Sequence, residues 1–332
     1  MVSSPVMRAL TREPFVRAPL VRCIVAGLFF VLGCHGSSCL GRERAGGPPR
    51  VCPSAREPDG GWVTVDGIDT SDYQIVDWDT VARENPHVRF AFVRASSGLA
   101  RVDTRFAIDW PAARRVGLLR GAYQYFIPSQ SAVLQADRFL ARLAEAGGLE
   151  AGDLPPVLDL EATNGMPAAT VMCRARLWLA RVERATHKRP ILYTSHRLDG
   201  VLALDLARHP LWVPTYVKDG TTCPAMPAPW KRWTFWQHAE TGVVWGVYTN
   251  AGRDDGGVIA LQDGGDGGPA YPGSDVDRFD GRLEDLLAFV DASASTTAPP
   301  DPAPPAPPPR ISGAPSEAGV LPDCSDGCCV AE

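Results

Sequence analysis

Two carboxylates separated by a single residue stand out in the run Pro156-Val157-Leu158-Asp159-Leu160-Glu161. In a strand, successive side chains alternate between faces, so Leu158 and Leu160 share one face while Val157, Asp159 and Glu161 share the other. At a rise of about 3.3 Å per residue the two acidic Cα atoms lie roughly 6.6 Å apart. At that range one negative charge strengthens the other acid's hold on its proton, so one carboxyl stays protonated near neutrality and can donate. Cleaving a glycosidic bond asks for such a group, because the leaving oxygen must be protonated while positive charge grows on the sugar ring. Two acids at a strand end also cap helices or pair with Arg, and the doublet alone does not choose.

Other acids recur near strand ends. Asp69 closes Val65-Asp66-Gly67-Ile68-Asp69, and Asp275, in Ser274-Asp275-Val276-Asp277-Arg278-Phe279, follows the last irregular strand. Either could simply hold a turn, since Asp beside Gly, Ser or Thr is common there. Tyr123, Tyr125, Tyr193, Trp212, Tyr216 and Trp236 offer faces on which sugar rings stack, with Tyr123, Trp212 and Trp236 favoured. A buried Tyr or Trp can equally be core with one satisfied polar atom. Gln237 and Arg94 complete the candidate substrate contacts.

The elements that must position these residues alternate between short apolar runs and amphipathic stretches. Strands are expected at Val63–Asp69, Arg89–Ala95, Gly121–Phe126, Pro156–Glu161, Pro190–Thr194, Leu211–Thr215 and Thr234–Gln237. Helices are expected at Ser131–Ala146 and Met172–Thr186, each with an apolar stripe. Such alternation indicates an α/β fold, a TIM-like (β/α) barrel of parallel strands, and its C-terminal face gathers catalytic groups from distant strands. After Trp233 the helices fade, so a partly antiparallel closure is expected. The Gly/Asp-rich stretches at 250–257 and 262–268 match no calcium-binding repeat and read as solvated loops.

The ends have a different character. Arg8, Arg12, Arg17 and Arg22 precede an apolar run, Cys23–Leu32, too short to span a bilayer comfortably, so residues 1–33 read as an export signal. Val31-Leu32-Gly33-Cys34 resembles the lipobox of bacterial lipoproteins, which implies cleavage before Cys34 and its acylation, a durable membrane anchor. An ordinary secretory signal is the alternative. His35 is not an Asp-type retention residue, which favours the outer membrane, facing the periplasm or the exterior. Residues 34–61 read as a flexible tether, 62–292 as the barrel domain, and 293–332 as a Pro/Ala-rich linker with a Cys-containing tail. Export permits disulfides, and of nine cysteines seven remain once Cys23 and Cys34 are set aside. Cys39 with Cys52 and Cys173 with Cys223 are plausible pairs, although one sequence does not determine connectivity. Cys324, Cys328 and Cys329 suit a small disulfide knot better than a metal site, for want of His or repeated CxxC spacing. The formal charge of −5 becomes more negative without the Arg-rich signal, which argues against non-specific nucleic-acid binding.

The ordered motifs Gly67-Ile68-Asp69-Thr70-Ser71, Gly121-Ala122-Tyr123, Leu158-Asp159-Leu160-Glu161, Leu211-Trp212-Val213, Phe235-Trp236-Gln237 and Asp275-to-Gly281 resemble those of glycoside hydrolase family 25. The resemblance spans about Val65 to Gly281. It implies an irregular β/α barrel, N-acetylmuramidase action on peptidoglycan, and no metal or organic cofactor. It makes Glu161 the general acid and Asp159 the partner in a substrate-assisted retaining mechanism, with Asp69 and Asp275 completing an acidic floor. Two departures stand out: Arg94-Ala95-Ser96-Ser97-Gly98 where the family usually shows Lys-Ala-Thr-Glu-Gly, and Tyr123-Gln124-Tyr125 where it often shows Tyr-His-Phe. The expectation is thus a monomeric, lipid-tethered bacterial enzyme working on glycan strands. A catalytically weak wall-binding lipoprotein and a hydrolase of another amino-sugar polymer such as chitin are the alternatives.

Overall fold

The computed structural model describes residues 47–216, 223–249 and 273–293, with Gly327, Cys328 and the backbone of a short hairpin at 263–264 and 268–269. The export segment, Cys34, Cys39, most of the Gly/Asp-rich stretches, the Pro/Ala stalk, Cys324 and Cys329 lie outside the described residues.

Eight strands close a barrel: β1 (Thr64–Thr70), β2 (Val88–Ser97), β3 (Leu119–Tyr125), β4 (Val157–Asp159), β5 (Ile191–Tyr193), β6 (Leu211–Pro214), β7 (Phe235–Gly242) and β8 (Ser274–Asp280). Strands β1 to β7 run parallel in sequence order, and β8 inserts antiparallel between β7 and β1. Parallel neighbours need a crossover, usually a helix. No helix joins β7 to β8 among the described residues, and the chain returns in the opposite sense. The expected parallel barrel with partial antiparallel closure is therefore what forms. Asp275, expected beyond the last strand, is the second residue of β8. The run Ser274-Asp275-Val276-Asp277-Arg278-Phe279-Asp280 hides a strand because two of its three inward positions, Asp275 and Asp277, carry acids, leaving only Phe279 apolar.

Among the described residues five α-helices accompany the strands: α1 (Trp78–Glu84), α2 (Phe106–Arg115), α3 (Ala132–Glu145), α4 (Ala168–Thr186) and α5 (Leu283–Ser293). Ser131 caps α3 by accepting from the Leu134 amide, and Asp77 caps α1 through Thr80. α4 begins four residues ahead of the expected Met172, directly after Pro167.

Period-two alternation divides the core. On β2, Phe90 and Phe92 point into the barrel, and Ala91, Val93 and Ala95 point out to the helix layer. The interior is plugged by rings: Phe92 stacks on Trp212 at 4.4 Å and meets Phe235 edge-on at 5.1 Å. Two glycines make room for this plug. A Cβ at Gly67 would come within 2.3 Å of the Phe90 ring, and one at Gly121 within 2.5 Å of Phe92. α5 closes the lower end, placing Leu286 and Val290 against the same rings.

The tether assignment for residues 34–61 needs correction from residue 47 onward. Arg50 bridges to Ala225, the Met226 amide donates to the Pro49 carbonyl, and the Trp233 indole donates to the Val51 carbonyl. The cysteine pairs differ as well: Cys52 joins Cys223, and Cys173 of α4 joins Cys328 of the tail. Neither expected pair forms, because bridging needs Cα atoms about 4.4–6.8 Å apart, which tertiary placement decides and spacing does not. Cys52 and Cys223 lie 171 residues apart in sequence and 4.7 Å apart in space.

Candidate active site

Catalytic chemistry in such a barrel belongs at the end where the parallel strands terminate. Toward that end β1 carries Asp69, β3 carries Tyr123 and Tyr125, β4 ends in Asp159 with Glu161 just beyond, β5 ends in Tyr193, and β6 carries Trp212. Because β8 runs the other way, its beginning lies at the same end, and Asp275 sits in register with Asp69. These residues, with Arg94, Tyr216 and Gln237, line one cavity of about 370 Å³.

Trp236 is not among them. Phe235 and Gln237 face into the barrel, so Trp236 between them must face out, where it is buried beside Trp233 and donates to the Thr215 carbonyl at 2.8 Å. Tyr123, Trp212 and the remaining expected contacts do reach the cavity.

Asp159 is buried, and its Oδ1 has no hydrogen-bond partner among the described residues. Glu161 stands at the mouth, solvent-accessible yet within the concave wall, and the two carboxyls are within hydrogen-bonding reach of each other. Burial, then the charge of Glu161 and the hydrogen bond to it, holds the Asp159 carboxyl well above the usual carboxylate range. Partial burial also raises Glu161, while the Asp159 hydrogen bond and the positive charge of Arg197 pull it back. A proton held between the two carboxyls belongs to the pair more than to either member.

Two further acids, Asp69 and Asp275, line the same cavity. Asp69 accepts from Gln237 Nε2 at 2.7 Å, and Gln237 Oε1 in turn accepts from the hydroxyls of Tyr193 at 2.7 Å and Tyr216 at 3.0 Å. Burial, followed by the charges of Asp275 and Asp277, raises Asp69 well above its ordinary value. Asp275, only partly buried, is pushed up to about 7, first by desolvation and then by the charges of Glu240 and Glu161. Asp277 is wholly buried; it accepts from Trp212 Nε1 at 2.8 Å and lies within hydrogen-bonding reach of Asp69. It fixes the Trp212 ring that floors the cavity. Sequence reasoning overlooked Asp277, although Asp275-Val276-Asp277 carries the same two-residue spacing as Asp159-Leu160-Glu161.

The wall opposite Glu161 is held by ions. Arg94 is buried and pairs with Asp72 and with Asp103, the latter at 3.1 Å; Arg101 bonds Asp72 at 2.8 Å and the Tyr73 hydroxyl at 2.6 Å. Both guanidinium groups lie over the half-exposed Tyr73 ring. Ser71, Tyr73, Gln74, Ser97 and Arg101 also line the cavity and were unanticipated; all but Ser97, the last residue of β2, lie in the short segments that follow β1 and β2.

Both motif departures have local explanations. Gln124 points away from the cavity, accepting from the Trp178 indole at 2.6 Å and donating to Ser96 Oγ at 2.9 Å. The missing His is thus an outer-layer change. Between Arg94 and Ser96 the pairing of β2 with β3 shifts register, a bulge that re-aims the strand so that Ser97 lines the cavity. The family's usual acid at that position is replaced by a short hydroxyl on the wall.

Comparison with known proteins decides the assignment. Residues 68–247 match the model of glycosyl hydrolases family 25. The chain belongs to that family. The Escherichia coli (strain K12) protein YegX is 34% identical over 238 residues, covering 70% of this chain and 76% of its own. Lysozyme M1 of Streptomyces globisporus is 31% identical over 205 residues, 57% of this chain and 67% of its own. Among solved structures, the bacterial lysozyme from Streptomyces coelicolor aligns with a TM-score of 0.57 at 26% identity, over 69% of this chain and 98% of that one.

Proposed function

We propose that this family 25 enzyme is a peptidoglycan muramidase, cutting the β-1,4 bond between N-acetylmuramic acid and N-acetylglucosamine. The observation that carries the mechanism is the state of Asp159. It is buried at the cavity bottom and accepts from no described N–H or hydroxyl, with the Glu161 carboxyl as its partner. A buried carboxyl with so few partners is suited to accept a donor brought by the ligand. The acetamido N–H of a bound amino sugar is such a donor. Its engagement releases the shared proton to Glu161, the group at the mouth, which delivers it to the leaving oxygen.

On this reading the acetamido oxygen attacks the anomeric carbon as the glycosidic C–O bond breaks, and Asp159 carries negative charge beside the oxazolinium-like ring that forms. Glu161, now deprotonated, takes a proton from water, which opens the ring and leaves the anomeric configuration retained. Asp69 and Asp275 complete the acidic floor, and the Trp212 and Tyr123 rings shape the bed for the sugar. Relatives named lysozyme and N,O-diacetylmuramidase support the choice of substrate. The lipobox-like segment supports attachment of a monomer to the outer membrane through Cys34, with the wall within reach.

Release of reducing ends from purified peptidoglycan, with mass spectrometry of the fragments, tests this. The wild type should yield muramic-acid reducing ends, and Glu161→Gln should fall by about two to four orders of magnitude, the usual contribution of a general acid. Wall binding without cleavage by the wild type, or cleavage of chitin in preference, would refute it.

A further inference from the structure

A second cavity, of about 280 Å³, adjoins the first and shares three of its lining residues, Glu161, Tyr193 and Tyr216. Its other walls come from the turn after β5 and the end of β6: Ser195, His196 and Arg197 on one side, Pro214 and Thr215 on the other. The position of Glu161 between the two is informative. A proton donor serves the oxygen that joins two sugars, so one sugar must lie on each side of it. The cavity that holds Asp159, Trp212 and the acidic floor takes the sugar whose anomeric carbon reacts. The other side of Glu161 must take the sugar that leaves.

The cations around the two cavities differ. Arg94 and Arg101, on the first, are neutralised by Asp72 and Asp103. Arg197 is exposed, and its guanidinium makes no hydrogen bond or ion pair with another described residue; the acid that feels its charge is Glu161. The Arg197 backbone is fixed by Ser195, whose hydroxyl accepts from its amide at 3.3 Å. Beside it, His196 Nδ1 is buried without a hydrogen-bond partner among the described residues. N-acetylglucosamine, the sugar that leaves, is neutral and has no use for a cation left unpaired in an otherwise acidic cleft, whereas the anionic glycan joined to it on the reducing side does.

We infer that the second cavity is the leaving-group subsite and that Arg197 there engages a carboxylate of the glycan on the reducing side of the cleaved bond. This rests on the muramidase reading. The carboxylate belongs either to the lactyl ether of the next muramic acid or to the peptide attached to it, and both present the same group.

Three substrates separate these sources: glycan strands stripped of peptide, strands bearing peptide, and the same strands with carboxyls methyl-esterified. Each is digested by wild type, Arg197→Gln and Arg197→Lys, with reducing ends counted. Arg197→Gln should raise KM about tenfold on carboxylate-bearing strands, ~1.4 kcal/mol, and Arg197→Lys, which keeps the positive charge beside Glu161, should recover much of the loss. The gap between wild type and Arg197→Gln should close on esterified strands. A loss on peptide-bearing strands alone points to the peptide carboxylate, and one present on stripped strands points to the lactyl group; both support the inference. A rise in KM that survives esterification overturns it while leaving the muramidase reading intact. Wild type that cleaves none of the three removes both.

Discussion

Asp275→Asn isolates the energetic cost of assembling so many acids at one end of the barrel. An unfolded Asp titrates near about 3.9, and in the folded protein Asp275 is pushed up to about 7 by desolvation and by the charges of Glu240 and Glu161. Below the unfolded value both states carry the proton and the group contributes nothing to the pH dependence. Between the two values the folded state holds a proton that the unfolded state has released, so stability falls as pH rises and levels off once the folded group ionises. The whole displacement corresponds to about 4 kcal/mol at ~1.36 kcal/mol per tenfold change in proton affinity. Solvent reaches Asp275, and neighbouring acids share its proton, so about 2 kcal/mol is expected at the plateau. Asparagine keeps the shape and removes the charge. Urea unfolding of wild type and variant should show equal stability near pH 4, then a gain for Asp275→Asn that grows to about 2 kcal/mol by pH 8, with m-values unchanged. A gain of the same size at pH 4 and pH 8, or one larger in acid, would show that the effect has another origin than the buried charge.

Other perturbations follow from the same structure. Asp159→Asn should reduce kcat by about two to three orders of magnitude, since it removes the negative charge that stabilises the intermediate; near-wild-type turnover of peptidoglycan would exclude substrate assistance by this residue. Gly121→Ala drives a methyl group against the Phe92 ring and should destabilise the fold by about 1–3 kcal/mol, and an unchanged thermal midpoint would mean the aromatic plug yields more readily than its packing implies. Cys52→Ser with Cys223→Ser should cost about 2–5 kcal/mol and loosen residues 47–56 to proteolysis, because the bridge closes a loop 171 residues long in sequence; loss of stability without new cleavage there would separate the loop-closure effect from local docking.

The acid doublet, its strand and the barrel around it were legible because each rests on short-range physics. Period-two alternation in Val157–Glu161 puts Asp159 and Glu161 on one face whatever the rest of the chain does. The apolar runs of β1 to β7 announce themselves because a parallel barrel strand is buried on both sides. The same alternation would have excluded Trp236 from the cavity once Gln237 was placed inside, as both cannot share a face. Strand β8 escaped notice because two of its inward residues, Asp275 and Asp277, are acids, so the apolar signal fails beside the cavity.

What the local pattern could not reach is everything that depends on which distant residues meet. The bulge at Arg94–Ser96 that re-aims Ser97, the pairing of Asp69 with Asp277, the Cys52–Cys223 and Cys173–Cys328 bridges, and the docking of residues 47–56 on the barrel all join parts of the chain far apart in sequence. The sequence by itself determined the chemistry on offer, two acids on one strand face with others at strand ends, since residue type and alternation are local properties. Only the tertiary structure decided how that chemistry is tuned. Burial and the approach of like charges raise the carboxyls, and the single position of Glu161 between two cavities divides the cleft into a side that reacts and a side that leaves.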